Sequence, residues 1–172
     1  MAGILAKIAA ILAAAAGTVL LTTGWSVPGD PSGTQRFVFT THSTAATPVF
    51  RAVATGVFRA TGTAQATSNA PTAPLKATFP DGTLLITQVS AGRQSRAINT
   101  TTCAVAFTET GARFVVASGT GRYKGISGKG TATLKFTGRL PKLGDGKCNE
   151  SATPIAGTTT SFIDVSGPVT LP

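Results

Sequence analysis

The chain predicts an all-β fold of eight or nine short antiparallel strands, a barrel or a sandwich, preceded by an N-terminal signal helix. Three observations carry this expectation. After residue 33 no helical period of useful length occurs. Threonine is the commonest residue, 30 of 172, and Val, Phe and Ile recur in short runs, the composition that suits a pleated surface. Gly and Pro interrupt those runs every eight to twelve residues or so, the spacing of a barrel or sandwich.

The first segment is read as an address. Lys7 supplies a short positive region, and Ile8 to Leu21 is an uncharged run of Ala, Ile, Leu, Val, Gly and Thr. That run matches a signal-peptide core and falls short of the roughly 20 residues a spanning helix needs. Residues 1–24 are therefore assigned to a signal peptide, 25–33 to a flexible linker and 34–172 to the barrel domain. The expected location is secreted or extracytoplasmic, of a bacterial style, with a membrane anchor by an uncleaved segment as the alternative. Export places the two cysteines in an oxidising space, so Cys103 and Cys148 are expected to form a disulfide worth roughly 4 kcal/mol in the chain-entropy model.

The strands follow in order. Thr34–Thr41 alternates Phe37 and Phe39 against Arg36, Val38 and Thr40. Val49–Val57, Phe58–Ala66 and Leu75–Phe79 come next, the last closing on a Pro80-Asp81-Gly82 turn in which Gly82 is free to take a positive φ. Leu84–Val89 precedes Ala104–Thr110 and Arg113–Ser118, which Thr110-Gly111 is expected to join as a short hairpin with Glu109 and Arg113 paired across it. Gly130–Gly138 sets Ala132, Leu134 and Phe136 against Thr131, Thr133, Lys135 and Thr137, and Thr159–Val165 completes the set.

Composition excludes several functions. One His and two Cys leave no zinc finger and no haem-attachment motif, so neither metal nor cofactor is expected. No G-x-S-x-G elbow occurs, and His42 lies in a polar strand end, where a solvated ring is the plain reading. Gly119-Thr120-Gly121 lacks the helix a dinucleotide loop requires, because glycines at 125, 128 and 130 would each cost a helix about 1 kcal/mol. Tyr123 and Ile126 are expected to pack inward instead.

The run Gly119-Thr120-Gly121-Arg122-Tyr123-Lys124-Gly125-Ile126-Ser127-Gly128-Lys129-Gly130 resembles the glycine-rich hallmark of the allene oxide cyclase and dirigent superfamily, and Phe79 to Leu84 and Thr102-Cys103 are similar to its small secreted bacterial members. The resemblance implies an eight-stranded antiparallel barrel whose plant members hold apolar or phenolic ligands in the lumen. It makes Gly119, Gly121, Tyr123, Gly125, Gly128 and Gly130 a fold-building segment. The family's charged lumen residues match no motif here, so none is carried over. Of the acids, only Glu109 and Asp164 lie in strand-like runs and are lumen candidates.

The net charge is +9, with 15 Lys and Arg against 6 Asp and Glu. Arg122, Lys124, Lys129, Lys135, Arg139, Lys142 and Lys147 crowd one stretch and are expected on the solvent face. Partners consistent with all this are a small apolar ligand and an anionic envelope surface. Nucleic acid is not expected of an exported chain with one Trp and one Tyr. The leading expectation is a secreted, non-catalytic barrel holding a small hydrophobic ligand. The alternatives are a cyclase or dirigent-like guide, and a basic envelope-associated protein.

Overall fold

The structure, a computed structural model, describes residues 32–43, 48–68 and 73–172. The signal helix and nearly all of the linker lie outside the described residues. The strands are β1 (Ser32–Ser43), β2 (Phe50–Thr55), β3 (Ala60–Ala66), β4 (Leu75–Phe79), β5 (Gly82–Ser90), β6 (Arg93–Ile98), β7 (Ala104–Gly119), β8 (Ser127–Arg139) and β9 (Thr159–Thr170). β1 begins at Ser32, so the sheet takes up the last two residues assigned to the linker.

All pairings are antiparallel, in the order β5-β4-β3-β2-β1-β9-β8-β7-β6, and β5 also pairs with β7. That last pairing closes a ring of eight strands, as the sequence predicts. Closure removes the unpaired edges that an open sheet of this length would expose. β6 continues past the ring as a ninth strand on the first half of β7.

Two readings of this region are corrected. Ala104–Gly119 is one strand and not a hairpin, with a register shift between Thr110 and Ala112. Gly111 takes φ +73° there, the left-handed conformation that marks a glycine bulge. The bulge resets the side-chain phase. Glu109 faces Leu134 and Ala112 faces Ala132 across β8, so both point inward although they are three residues apart. Arg113 consequently points outward, and the expected Glu109–Arg113 pair does not form. β6 has no counterpart in the sequence reading, because Arg93-Gln-Ser-Arg-Ala-Ile98 shows no apolar alternation.

The lumen is packed by matching large against small. Phe37 stands opposite Ala54 and Phe39 opposite Ala52, and all four are essentially inaccessible to solvent. Phe58 lies against Tyr123 with ring centroids 4.7 Å apart and against Phe79 at 6.1 Å. Phe37 joins the cluster at 5.9 Å from Phe58. Gln35, fully buried, accepts from the Phe58 N–H at 3.1 Å and donates to the Phe58 carbonyl at 3.2 Å, which fixes the β2–β3 connection over this end.

β6, the first half of β7 and the connection from Arg139 to Thr159 form an annex outside the ring. Cys103 and Cys148 are disulfide-bonded there, with Cα atoms 5.3 Å apart, as expected from the sequence. Val105 and Leu140 pack around the bridge with Ile98 and Phe136.

The glycines of β8 show how tightly the strands approach. A Cβ at Gly130 would lie 2.2 Å from the Ser166 carbonyl oxygen and 2.8 Å from the Phe114 ring, whereas one at Gly144 would meet nothing within 4 Å. Gly130→Val should therefore cost more than about 2 kcal/mol, and Gly144→Val less than about 0.5 kcal/mol. Urea melts of the two variants check this; equal midpoints would refute the close approach.

Candidate functional site

The two ends of the barrel differ in chemistry. At one end the glycine-rich segment forms a lid. Gly121–Tyr123 is a single 3-10 turn, and Tyr123 and Ile126 are buried beneath it, as the sequence predicts. Gly121 and Gly125 hold φ of +59° and +85°. The lid is bolted to the Pro80–Gly82 turn. Thr120 N–H donates to the Thr83 carbonyl at 2.9 Å, Thr83 N–H donates to Thr120 Oγ1 at 3.0 Å, and Arg122 N–H donates to the Asp81 carbonyl at 2.9 Å. Gly82 has φ +148°, and a Cβ there would strike the Thr120 carbonyl. The two separate sequence segments therefore interlock as one structural unit.

The opposite end carries the polar site. Glu109 has no exposed surface, and Gln35, Thr41 and Glu109 are the buried polar residues among those described. Its Oε1 accepts from the Gly92 N–H at 2.7 Å and from Gln88 Nε2 at 3.0 Å, and its Oε2 accepts from Gln94 Nε2 at 3.4 Å. The cause is local. β7 has one neighbour, β5, beyond the bulge and another, β6, before it, and the chain crosses between them at Ala91-Gly92. Gly92 N–H faces inward at that break without a ladder partner, and the Glu109 carboxylate satisfies it. All three donors are neutral, and among the described residues no ion pair to Glu109 forms.

Leu134 faces Glu109 across β7 and β8, and Ile163 faces Leu134 across β8 and β9; these inward-facing residues, like Leu75 on β4, are only half-buried, in contrast to the fully covered rings under the lid. Beyond them the same face runs into the annex, where Phe107 and Phe136 border a cavity of about 30 Å³, room for about one water. Arg96 closes its rim, 3.7 Å from the Glu150 carboxylate.

Asp164, the second lumen candidate, lies on the outer wall. It stands opposite Val38 and Thr133, and Arg36 donates to both of its oxygens at 2.9 and 2.7 Å. This pair raises the Arg36 guanidinium above its ordinary value, chiefly through the hydrogen bond and then through the charge of Asp164. The alternation of Ile163, Val165 and Val169 against Phe162, Asp164 and Ser166 already carries the signal for that outward placement. Gln88 at the end of β5, Gly92 at the crossing and Gln94 on β6 carry no local sequence signal as partners of Glu109, because they meet it only where the chain passes from β5 to β6 beside β7. His42 is exposed and lies 3.3 Å from Thr160 Oγ1. Among the described residues no three His, Cys, Asp or Glu side chains gather into a metal-binding group.

Comparison with known proteins finds no matching family model, no matching curated protein and no matching solved structure.

Two measurements follow from the two ends. Burial, and then the charge of Asp81, push the Tyr123 phenol up to about 12. An unfolded chain would ionise near pH 10, so the fold is weakened as pH rises from about 10 towards 12 and is unaffected below. Tyr123 is the chain's one tyrosine, so the phenolate absorbance reports it alone, and a native midpoint near 10 would contradict its burial. Glu109→Gln turns one acceptor oxygen into a donor facing other donors and should cost about 1–3 kcal/mol in urea melts. An unchanged midpoint would show that the carboxylate does not hold the strand break.

Proposed function

We propose that the chain is an exported, non-catalytic barrel that takes a small apolar molecule carrying a hydrogen-bond donor at the end where Glu109 lies. The observation that carries this reading is the juxtaposition of a buried carboxylate with half-buried, inward-facing Leu134 directly opposite it and Ile163 one strand further on. Ligand sites are mostly apolar with a few placed polar groups, and that is the chemistry assembled here. Glu109 Oε2 keeps one long contact, to the side chain of exposed Gln94. A ligand N–H or O–H that displaces Gln94 gains a charge-assisted hydrogen bond in its place.

The resemblance of residues 119–130 to the allene oxide cyclase and dirigent superfamily supports a lumen ligand of apolar or phenolic type. The disulfide supports export. The hydrogen bonds that Glu109 accepts come from Gln88, Gly92 and Gln94, an arrangement that suits holding and orienting a ligand.

Native mass spectrometry of the exported protein tests both parts. The expected species lacks about 24 to 26 N-terminal residues and carries the extra mass of a retained small molecule. With purified protein, the fluorescent probe N-phenyl-1-naphthylamine, apolar with one N–H donor, should bind. Leu134→Arg should weaken that binding by about tenfold or more, equivalent to about 1.4 kcal/mol. Absence of retained mass together with absence of probe binding would overturn the reading, as would unchanged binding by Leu134→Arg.

A further inference from the structure

The outer wall carries a separate feature. Among the described residues every exposed side-chain carboxylate already has a cation of this chain beside it. Asp81 has Arg122 at 3.8 Å, Asp145 has Lys147 at 3.2 Å, Glu150 has Arg96 at 3.7 Å, and Asp164 has Arg36 at 2.7 Å. The remaining cations of the described residues are left free to meet an anion from outside. Four of them, Arg93, Arg113, Lys129 and Lys135, lie together on β6, β7 and β8, all exposed and with no carboxylate within 4.0 Å among the described residues.

Strand register gives the spacing. Arg93 stands opposite Thr110, Lys135 opposite Thr108, Arg113 opposite Thr131, and Lys129 opposite Val115. Lys129 and Lys135 are six residues apart on one strand, about 20 Å at roughly 3.3 Å per residue. Arg113 and Arg93 fall between them on the adjacent strands, each about 5 Å further across. The positions between the cations are filled by threonines, so the wall presents alternating positive charges and hydroxyls. A point-like anion would use one or two of these groups. An extended chain with a negative charge at regular intervals would use all four.

We propose that this wall binds an acidic polysaccharide, a hydroxyl-rich chain with carboxylate groups along it. Guanidinium forks and lysine ammoniums take the carboxylates, and the threonine hydroxyls exchange hydrogen bonds with the sugar hydroxyls. The same wall is poorly suited to a lipid surface. Val115 opposite Lys129 and Phe162 opposite Lys135 are half-buried between the strands, and Val89 beside Arg113 is the one exposed large apolar residue at its border among those described, so little apolar area is available to insert. The site lies on the outside of the barrel and does not depend on the ligand proposed for the inside.

Binding of polygalacturonate, measured by isothermal titration calorimetry at low salt, tests the proposal. The unmodified protein should bind, more weakly as salt rises. The triple variant Arg113→Gln, Lys129→Gln, Lys135→Gln should weaken binding about tenfold or more. A control triple of equal charge elsewhere, Arg59→Gln, Lys76→Gln, Lys142→Gln, should change it less than about twofold. All six side chains are exposed, so surface substitution should leave the melts nearly unchanged. Should the first triple melt early, Arg113→Gln and Lys129→Gln made singly should each weaken binding about threefold. Equal losses in the two triples would reduce the effect to net charge and overturn the site. Failure to bind polygalacturonate would also overturn it, as would tighter binding to phosphatidylglycerol vesicles than to polygalacturonate.

Discussion

β7 has to serve three neighbours at once. Along one edge it pairs with β8 through nearly its whole length, and along the other it pairs first with β6 and then with β5. A regular strand could not do this and keep one inner face, because the change of neighbour brings a change of register. The bulge at Gly111 supplies the missing residue. It keeps Val105, Phe107 and Glu109 on the same face as Ala112, Phe114 and Val116, and so allows β5 to close the ring while β6 departs from it. Closure, the phase of the core and the position of the buried Glu109 carboxylate all depend on that residue's access to positive φ.

The same constraint explains what the sequence disclosed and what it concealed. The places of most strands along the chain and the inward packing of Tyr123 and Ile126 are legible, because alternation and glycine spacing are local signals. The Thr110-Gly111 pair was read as a hairpin because a bulge and a tight turn draw on the same residue chemistry. Only the partner strands distinguish them, and partners are not local. β6 was invisible for a related reason. Arg93–Ile98 buries almost nothing, so its strand conformation comes from the backbone of β7 and not from its own side chains.

The candidate site divides along the same line. Glu109 could be placed on the face of Val105 and Phe107 from alternation alone. Its donors could not, since Gln88, Gly92 and Gln94 reach it only through a strand break that appears once the ring has closed. Asp164 illustrates the opposite case. Its neighbours alternate cleanly enough to place it outside, and an acid in a strand-like run was a weaker guide than the phase of that run.

The disulfide joins two connections, β6 to β7 and β8 to β9, and both belong to the annex. Neither half-cystine sits in a strand of the ring, and the ladder that closes the ring runs through β5 and the far half of β7. The crosslink therefore divides the molecule into two cooperative regions of different origin. One is held by a continuous hydrogen-bonded circuit around packed aromatic rings, and the other by a covalent tie around a small apolar cluster. β6 is also held to β7 by a six-residue ladder, so the bridge reinforces an attachment that the backbone already makes. Opening that ladder leaves every pairing of the ring in place, whereas opening β1 or β9 breaks the ring itself, so the annex is the part of the molecule that can loosen alone, and it borders the same mouth where Glu109 lies.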